Sequence, residues 1–315
     1  MRRMGLLESW RKFWNPIIVI AFDRDSLWIT DNPDREAKRA ASCVALDIPT
    51  NKVRAVGDDA LAMESELPPD TRVVHYVKHG SLIDFDIAEA AFKYEIRLLT
   101  GNGLRIAPRI LLAAPVDVIS TRVIKDAATH AGARLVHLVP RLMAAALGDG
   151  LDVKRAKAHV IAYVDRDQFG LAVISDAKLL AQHEACDSLE QVAYDMAWAE
   201  RKEGDQHPAK IDTICHGLRT TGVADNSFAA SLVLRWRERY LETMQSLSPE
   251  YREGLRQEPV YLTGPYANVP GLKELLSTHW ERPFIMAKEP AKSVIRGCQI
   301  LMREIDDLMK PEKSR

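Results

Sequence analysis

The sequence predicts an α/β protein, and three features of Leu104–Asp152 predict it. Ile110-Leu111-Leu112-Ala113-Ala114 is a short apolar run closed by Pro115, the pattern of a buried strand. Val123, Ala127, Ala128 and Ala131 then recur at helical spacing behind Ser120, and Gly132 stops that helix. Leu135–Val139 is a second apolar strand, and Arg141–Gly148 is a small-residue helix ended by Gly148. Strand, helix, strand and helix joined by short connections make a crossover unit of an α/β sheet.

The chain has 315 residues, enough for one large or two medium domains. Its 47% hydrophobic and 28% charged content is that of a globular protein with a sizeable core. A net charge of -1 gives no case for nucleic acid as a partner. Cys43, Cys186, Cys215 and Cys298 are scattered without a C-x-x-C pair, and no signal peptide is visible, so reduced cytoplasmic thiols are expected. No run of about 18 apolar residues exists to span a membrane.

At the N-terminus, Met1–Trp14 places Leu6, Leu7, Trp10, Phe13 and Trp14 at i, i+3, i+4, i+7 spacing. Arg2, Arg3, Arg11 and Lys12 stand against the single acid Glu8. Bulky aromatics on one face with Arg and Lys elsewhere suit a helix lying in an anionic membrane interface. A terminal helix docked on the core would use the same apolar residues. Asn15-Pro16 separates this segment from the body.

Ile17–Phe22 and Ser26–Thr30 read as strands joined by Asp23-Arg24-Asp25. Pro33–Asp70 is more polar and holds a candidate strand over Ala41–Ile48. Asp86–Leu99 reads as a helix and Gly101-Asn102-Gly103 as a loop. His75 and His79 are four apart, but Gly80 follows and no helical pattern surrounds them, so ordinary histidines are expected rather than a metal pair. Leu151–Ala158 is a charged connection. His159–Val164 and Gly170–Ser175 are strands around a second polar turn, Asp165-Arg166-Asp167-Gln168.

Beyond it, Leu189–Trp198 is helical and Ile211–His216 reads as a strand. Asp225-Asn226-Ser227 offers caps for a helix over Phe228–Gln245, with Leu232, Trp236, Tyr240 and Met244 as its apolar stripe. Arg235, Arg237 and Arg239 suit a solvated face. Pro259–Leu262 is a strand, Gly271–Thr278 begins a helix, and Pro290–Met309 closes the chain as an amphipathic helix.

Several of these segments, in order, resemble the bacterial actin homologue MreB and its relatives. Pro115, Ala131-Gly132-Ala133 and Met143-Ala144-Ala145-Ala146-Leu147-Gly148 match that family's strand-Pro, Ala-Gly-Ala and Met-Ala-Ala-Ala-x-Gly pieces. Val56-Gly57-Asp58-Asp59-Ala60 through Met63 resembles its Val-Gly-x-x-Ala-x-x-Met. Gly80 with Leu82-Ile83-Asp84-Phe85-Asp86 resembles its Asp-Gly-Val-Ile-x-Asp-Phe-Asp. Leu262-Thr263-Gly264 and Glu289-Pro290 through Arg296-Gly297 sit where the family closes its second domain.

The resemblance covers about residues 15 to 309 and is weakest over 183–258. It implies an actin-like fold of the actin/Hsp70/hexokinase type, with two α/β domains, each carrying an inserted subdomain. The boundaries it implies are a membrane-binding helix over 1–14 and a first domain over 15–150 with an insert near 33–76. A second domain follows over 151–309 with an insert near 183–258, and 310–315 is a tail.

The resemblance also implies where a nucleotide would sit, and there the chain departs from the family. The first phosphate hairpin, Asp-x-Gly-Thr-x-Asn in the family, reads Ala21, Phe22, Asp23, Arg24, Asp25, Ser26 here, without the Gly that permits close backbone approach and with two carboxylates that would face a phosphate. In the second, Tyr163 falls on the family's Asp, and Asp165, Arg166 and Asp167 fall on its three glycines. Thr263-Gly264-Pro265-Tyr266-Ala267 keeps one glycine of Thr-Gly-Gly-Gly-Ala. The Glu-Glu-Pro before Met-Ala-Ala-Ala, which helps position the attacking water, is Pro140-Arg141-Leu142. A nucleoside-contacting Gly-Glu-x-x-Ala-Glu-x-x-Lys segment has only Gly204-Asp205-Gln206-His207-Pro208 in its place.

Two explanations fit the paired Asp-Arg-Asp turns. Polar residues make good tight turns, or each Arg reaches the opposite turn's carboxylates as a salt-bridged replacement for nucleotide.

The sequence therefore leads to an expected MreB-like scaffold without catalytic residues or cofactor, peripheral on the inner face of the cell membrane. Its expected partners are itself or a true MreB, anionic lipid and membrane-protein machinery. The alternatives are a divergent filament-forming ATPase using ATP with magnesium, and a monomeric actin-fold adaptor for a membrane complex.

Overall fold

The computed structural model describes residues 16–101, 106–115, 118–199 and 211–308. The Met1–Trp14 segment, Gly204–Pro208 and the 310–315 tail lie outside the described residues. The chain divides into two compact units. One takes the chain up to Ala144 together with the chain from Ile295, and the other runs Ala145–Val294.

The first unit is built on a five-stranded sheet. Its strands are β1 (Ile17–Phe22), β2 (Ser26–Thr30), β3 (Lys38–Ala41), β9 (Arg109–Ala114) and β10 (Leu135–Pro140), ordered β10-β9-β1-β2-β3. β1 is buried at every position because both faces are covered, which is why it reads as one unbroken apolar run. The β9–β10 crossover passes through the Val118–His130 helix, and both strands run parallel to β1. The Phe85–Thr100 helix packs on the same sheet through Ile87, Ala88, Ala91, Phe92 and Ile96. Its cap is Asp84, whose carboxylate accepts the Ile87 N–H at 3.1 Å.

Strands β4 (Cys43–Asp47), β5 (Val53–Val56) and β6 (Thr71–His75) form a separate three-stranded sheet, covered by the short Asp58–Met63 helix. β7 (Val77–Lys78) and β8 (Ser81–Leu82) make a small hairpin.

The second unit repeats the same topology. Its strands are β11 (His159–Val164), β12 (Phe169–Ser175), β13 (Lys178–Ala185), β14 (Val260–Thr263) and β15 (Phe284–Met286), ordered β13-β12-β11-β14-β15. As in the first unit, three consecutive antiparallel strands are followed by two strands parallel to the first of them. Its core is aromatic. Phe169 stacks on Trp236 at 4.4 Å between ring centroids, and Tyr240 stacks on Trp280 at 4.9 Å. The two buried indoles donate to backbone carbonyls, Trp236 to Asp187 and Trp280 to Val233. Asn226 caps the Ser227–Gln245 helix by accepting the Ala229 N–H at 3.0 Å.

Two expectations are corrected. Ile211–His216 is not a strand; Ile211–Thr221 is a helix. Ile211, Ile214, Cys215 and Leu218 follow helical spacing, and they face the second unit's core through buried Cys215 and Leu218. The closing helix, Ser293–Leu308, was expected within the second domain, yet from Ile295 onward it belongs to the first unit. Gln299 donates to the Arg35 carbonyl at 2.7 Å and Arg303 pairs with Asp34 at 2.9 Å. A Cβ on Gly297 would stand only 1.7 Å from the Ala144 carbonyl oxygen, so the absent side chain is what lets the helix lie there. The chain accordingly enters the second unit at Ala145, earlier than the expected 150/151 boundary.

Candidate functional site

Each unit presents one Asp-Arg-Asp turn at the same topological place, between the first and second strands of its sheet. In the first unit the Asp23 N–H donates to the Ser26 carbonyl at 2.8 Å and closes the turn. The Asp25 N–H donates back to Asp23 Oδ1 at 2.9 Å. This is an Asx-type turn, in which a carboxylate takes an N–H that a glycine-containing turn would leave outward. Asp23 is buried, and burial first, then the neighbouring Asp25 charge, pushes its carboxyl up to about 6. Ser42 ties the turn to the next strand by donating to the Arg24 carbonyl at 2.7 Å.

The second turn is built likewise. The Asp165 N–H donates to the Gln168 carbonyl at 3.0 Å, and the Arg166 N–H donates to Asp165 Oδ1 at 2.7 Å. Asp165 and Asp167 are fully buried. The Arg166 guanidinium pairs with Glu190 at 3.0 Å and with Asp212, while the Arg166 carbonyl accepts the Glu190 N–H at 2.8 Å. Arg166 thereby joins its turn to the first turns of two helices, Leu189–Ala199 and Ile211–Thr221.

Gly264 and Pro265 lie beside this second turn. β14 runs parallel to β11 with Thr263 opposite Tyr163, and the Tyr266 N–H donates to the Val164 carbonyl at 3.0 Å. Gly264 has φ +102°, and a Cβ there would lie 2.4 Å from the Val164 carbonyl oxygen. The one glycine kept from the expected run is therefore demanded by its approach to β11. Thr263, Ser293 and Asp149 form a chain of side-chain hydrogen bonds behind it, with Thr263 Oγ1 donating to Ser293 Oγ at 2.7 Å and Ser293 bonded to Asp149.

Pro140 ends β10 opposite Ala114, and Arg141 opens the next helix. Arg141 is among the largest fully buried side chains of the chain, 1% exposed. Its Nη2 donates to the Gly80 carbonyl at 3.0 Å. Arg24 Nη1 donates to the Val77 carbonyl at 3.2 Å. Both arginines thus grip the β7–β8 hairpin within the first unit. Sequence inspection missed this hairpin, although His79-Gly80 between short strand-like pairs carries the signal of a two-residue turn. It also missed Glu190, Asp212 and the Asp84 cap, whose partners are distant or need a known helix start.

A family model described as MreB/Mbl protein matches residues 37–186. Cell shape-determining protein Mbl of Bacillus subtilis is 26% identical over 306 residues, covering 87% of this chain and 91% of that protein. Cell shape-determining protein MreB of Escherichia coli is 34% identical over 126 residues, 39% of this chain. MreB5 of Spiroplasma citri bound to AMPPNP superposes with a TM-score of 0.84 at 17% identity, covering 94% of this chain and 98% of that one. The chain has an actin-like fold and is similar to proteins of the MreB family. A MamK double helical filament subunit shares the fold at a TM-score of 0.71 and 12% identity. Among the described residues, no MreB-type Gly-rich phosphate turn stands at 23–26 or 165–168, and no helix is long and apolar enough to cross a membrane.

Proposed function

We propose that this protein is an MreB-family cytoskeletal scaffold that works without ATP hydrolysis, attaches peripherally to the inner face of the cell membrane, and assembles into filaments. The observation that carries this reading is the internal use of the turn amides. Asp23 and Asp165 each accept an N–H of their own turn, so one backbone donor of each turn is engaged before any ligand arrives. Their carboxylates also repel an anion. At the position of the family's water-orienting carboxylate stands Arg141, which donates to the Gly80 carbonyl and has no basic lone pair to offer. These residues do not fit Mg-ATP in the manner the family resemblance implies, so no hydrolytic step is assigned to them.

Relatives named as cell shape-determining support a role in cell shape or in organising membrane machinery. The Met1–Trp14 segment supplies the membrane contact through Leu6, Leu7, Trp10, Phe13 and Trp14, with Arg2, Arg3, Arg11 and Lys12 drawn to anionic lipid. Head-to-tail contacts between copies, or with a true MreB, are heterologous and extend into open filaments.

A second reading, a divergent ATP-dependent filament, draws support from the fold shared with an AMPPNP-bound MreB5. Electron microscopy of the full chain on anionic liposomes, with and without Mg-ATP, separates the two. Filaments in both conditions support the scaffold. Filaments only with Mg-ATP establish the ATPase reading, and a strict monomer on lipid leaves a monomeric membrane adaptor.

A further inference from the structure

The β7–β8 hairpin is too small to hold itself. Each strand has two residues, paired Val77 with Leu82 and Lys78 with Ser81, and two-stranded ribbons alone are marginal in water. Its turn places His79 at φ +49° and Gly80 at φ +69°, and a left-handed backbone is unfavourable for His. Yet Val77 and Gly80 are buried. Two cations from separate elements meet its carbonyls: Arg24 from the β1–β2 turn at Val77, and Arg141 from the helix start at Gly80. Ser81 adds a side-chain bond to Ser120, and the Ile83 N–H closes on the Tyr76 carbonyl at 2.9 Å. Arg141 is expensive where it stands. A buried guanidinium loses hydration, and a positive charge in a first helical turn opposes the helix dipole.

We infer that Arg24 and Arg141 are positioning residues that act together as internal struts, fixing the Val77–Leu82 hairpin in one conformation with no bound anion. The inference rests on the nucleotide-independent reading above and deepens it. The departures at 23–26 and 140–142 then do one job: the side chains that replace the family's glycine-containing turn and carboxylate order the same six residues.

Amide hydrogen exchange followed by mass spectrometry tests this on the full chain. Peptides covering residues 76–83 are compared in wild type, Arg24→Ala, Arg141→Met and the double variant, with and without Mg-ATP. Loss of a charged donor to a carbonyl is expected to speed hairpin exchange by about tenfold or more, leaving β9 unchanged. Arg24→Lys restores part of the protection. The double variant exceeds neither single variant by the full product, because both act on one hairpin. Arg141→Met retains volume, and Arg24→Ala on its half-buried turn decides the matter if the Met variant does not fold. Unchanged hairpin exchange in Arg24→Ala overturns the strut. Slower wild-type exchange at 76–83 with Mg-ATP overturns ligand independence, and with it the scaffold reading, even where the arginine contacts hold.

Discussion

Arg166 and Glu190 hold one another twice. The guanidinium meets the carboxylate at 3.0 Å, and the Glu190 N–H returns to the Arg166 carbonyl at 2.8 Å. Both side chains are 11% exposed, so neither charge has bulk water to fall back on. Removing Arg166 takes away the cation that faces the buried Glu190 carboxylate. Arg166→Ala is expected to cost about 3 kcal/mol of unfolding free energy, whereas Arg166→Met with Glu190→Leu costs much less. Urea melts of the single and double variants measure this, and equal losses in the two would refute it.

Asp23 gives a pH dependence of defined sign. Its carboxyl is raised from 3.8 to about 6 by burial and by Asp25, so the folded chain holds that proton more tightly than the unfolded chain. The resulting stabilisation is complete below about pH 3.8 and is lost as pH rises through 6. At pH 8 the ionised group opposes folding. Asp23→Asn keeps the oxygen that accepts the Asp25 N–H and removes the charge. It should stabilise the protein at pH 8, by up to about 3 kcal/mol, and change little at pH 4. A gain of the same size at both pH values would mean that ionisation is not the cause.

Gly264→Ala is expected to destabilise by about 3 kcal/mol or more, because the new methyl meets the Val164 backbone and the residue is held at φ +102°. Pro265→Gly, which adds back a glycine of the family's run, is expected neither to unfold the chain nor to confer Mg-ATP binding in calorimetry. Heat of binding in Pro265→Gly alone would show that this single position had closed the site.

Membrane attachment is predicted to be electrostatic and apolar together. Replacing Arg2, Arg3, Arg11 and Lys12 by Ala should weaken co-sedimentation with anionic liposomes by about 1 kcal/mol per charge, and high salt should mimic the change. Trp10→Ala with Trp14→Ala should weaken binding at every salt concentration. Full binding by a chain lacking residues 1–14 would place the lipid contact elsewhere.

Much of the fold was legible in the sequence because its signals are local. β1, β9, β11 and β12 are short apolar runs bounded by Pro, Gly or acidic turns, and buried strands covered on both faces have no other pattern available. Asn226 announces the Ser227–Gln245 helix three residues ahead of the N–H it accepts. Ile211–Thr221 was misjudged because a six-residue window shows its Ile and Cys but not Leu218, which completes the helical stripe.

The sequence by itself determined the α/β class, the two Asp-Arg-Asp turns and the absence of glycine in them, since strand periodicity and turn chemistry reside in neighbouring residues. Only the tertiary structure decided what the arginines do. Arg24 lies 53 positions from Val77 and Arg141 lies 61 from Gly80, and no local pattern encodes such a pairing. The same holds for the closing helix, whose amphipathic stripe says that it must be buried but not against which unit. Gly297 against Ala144 and Arg303 with Asp34 settle that choice, through steric fit and charge pairing that exist only once the chain has folded.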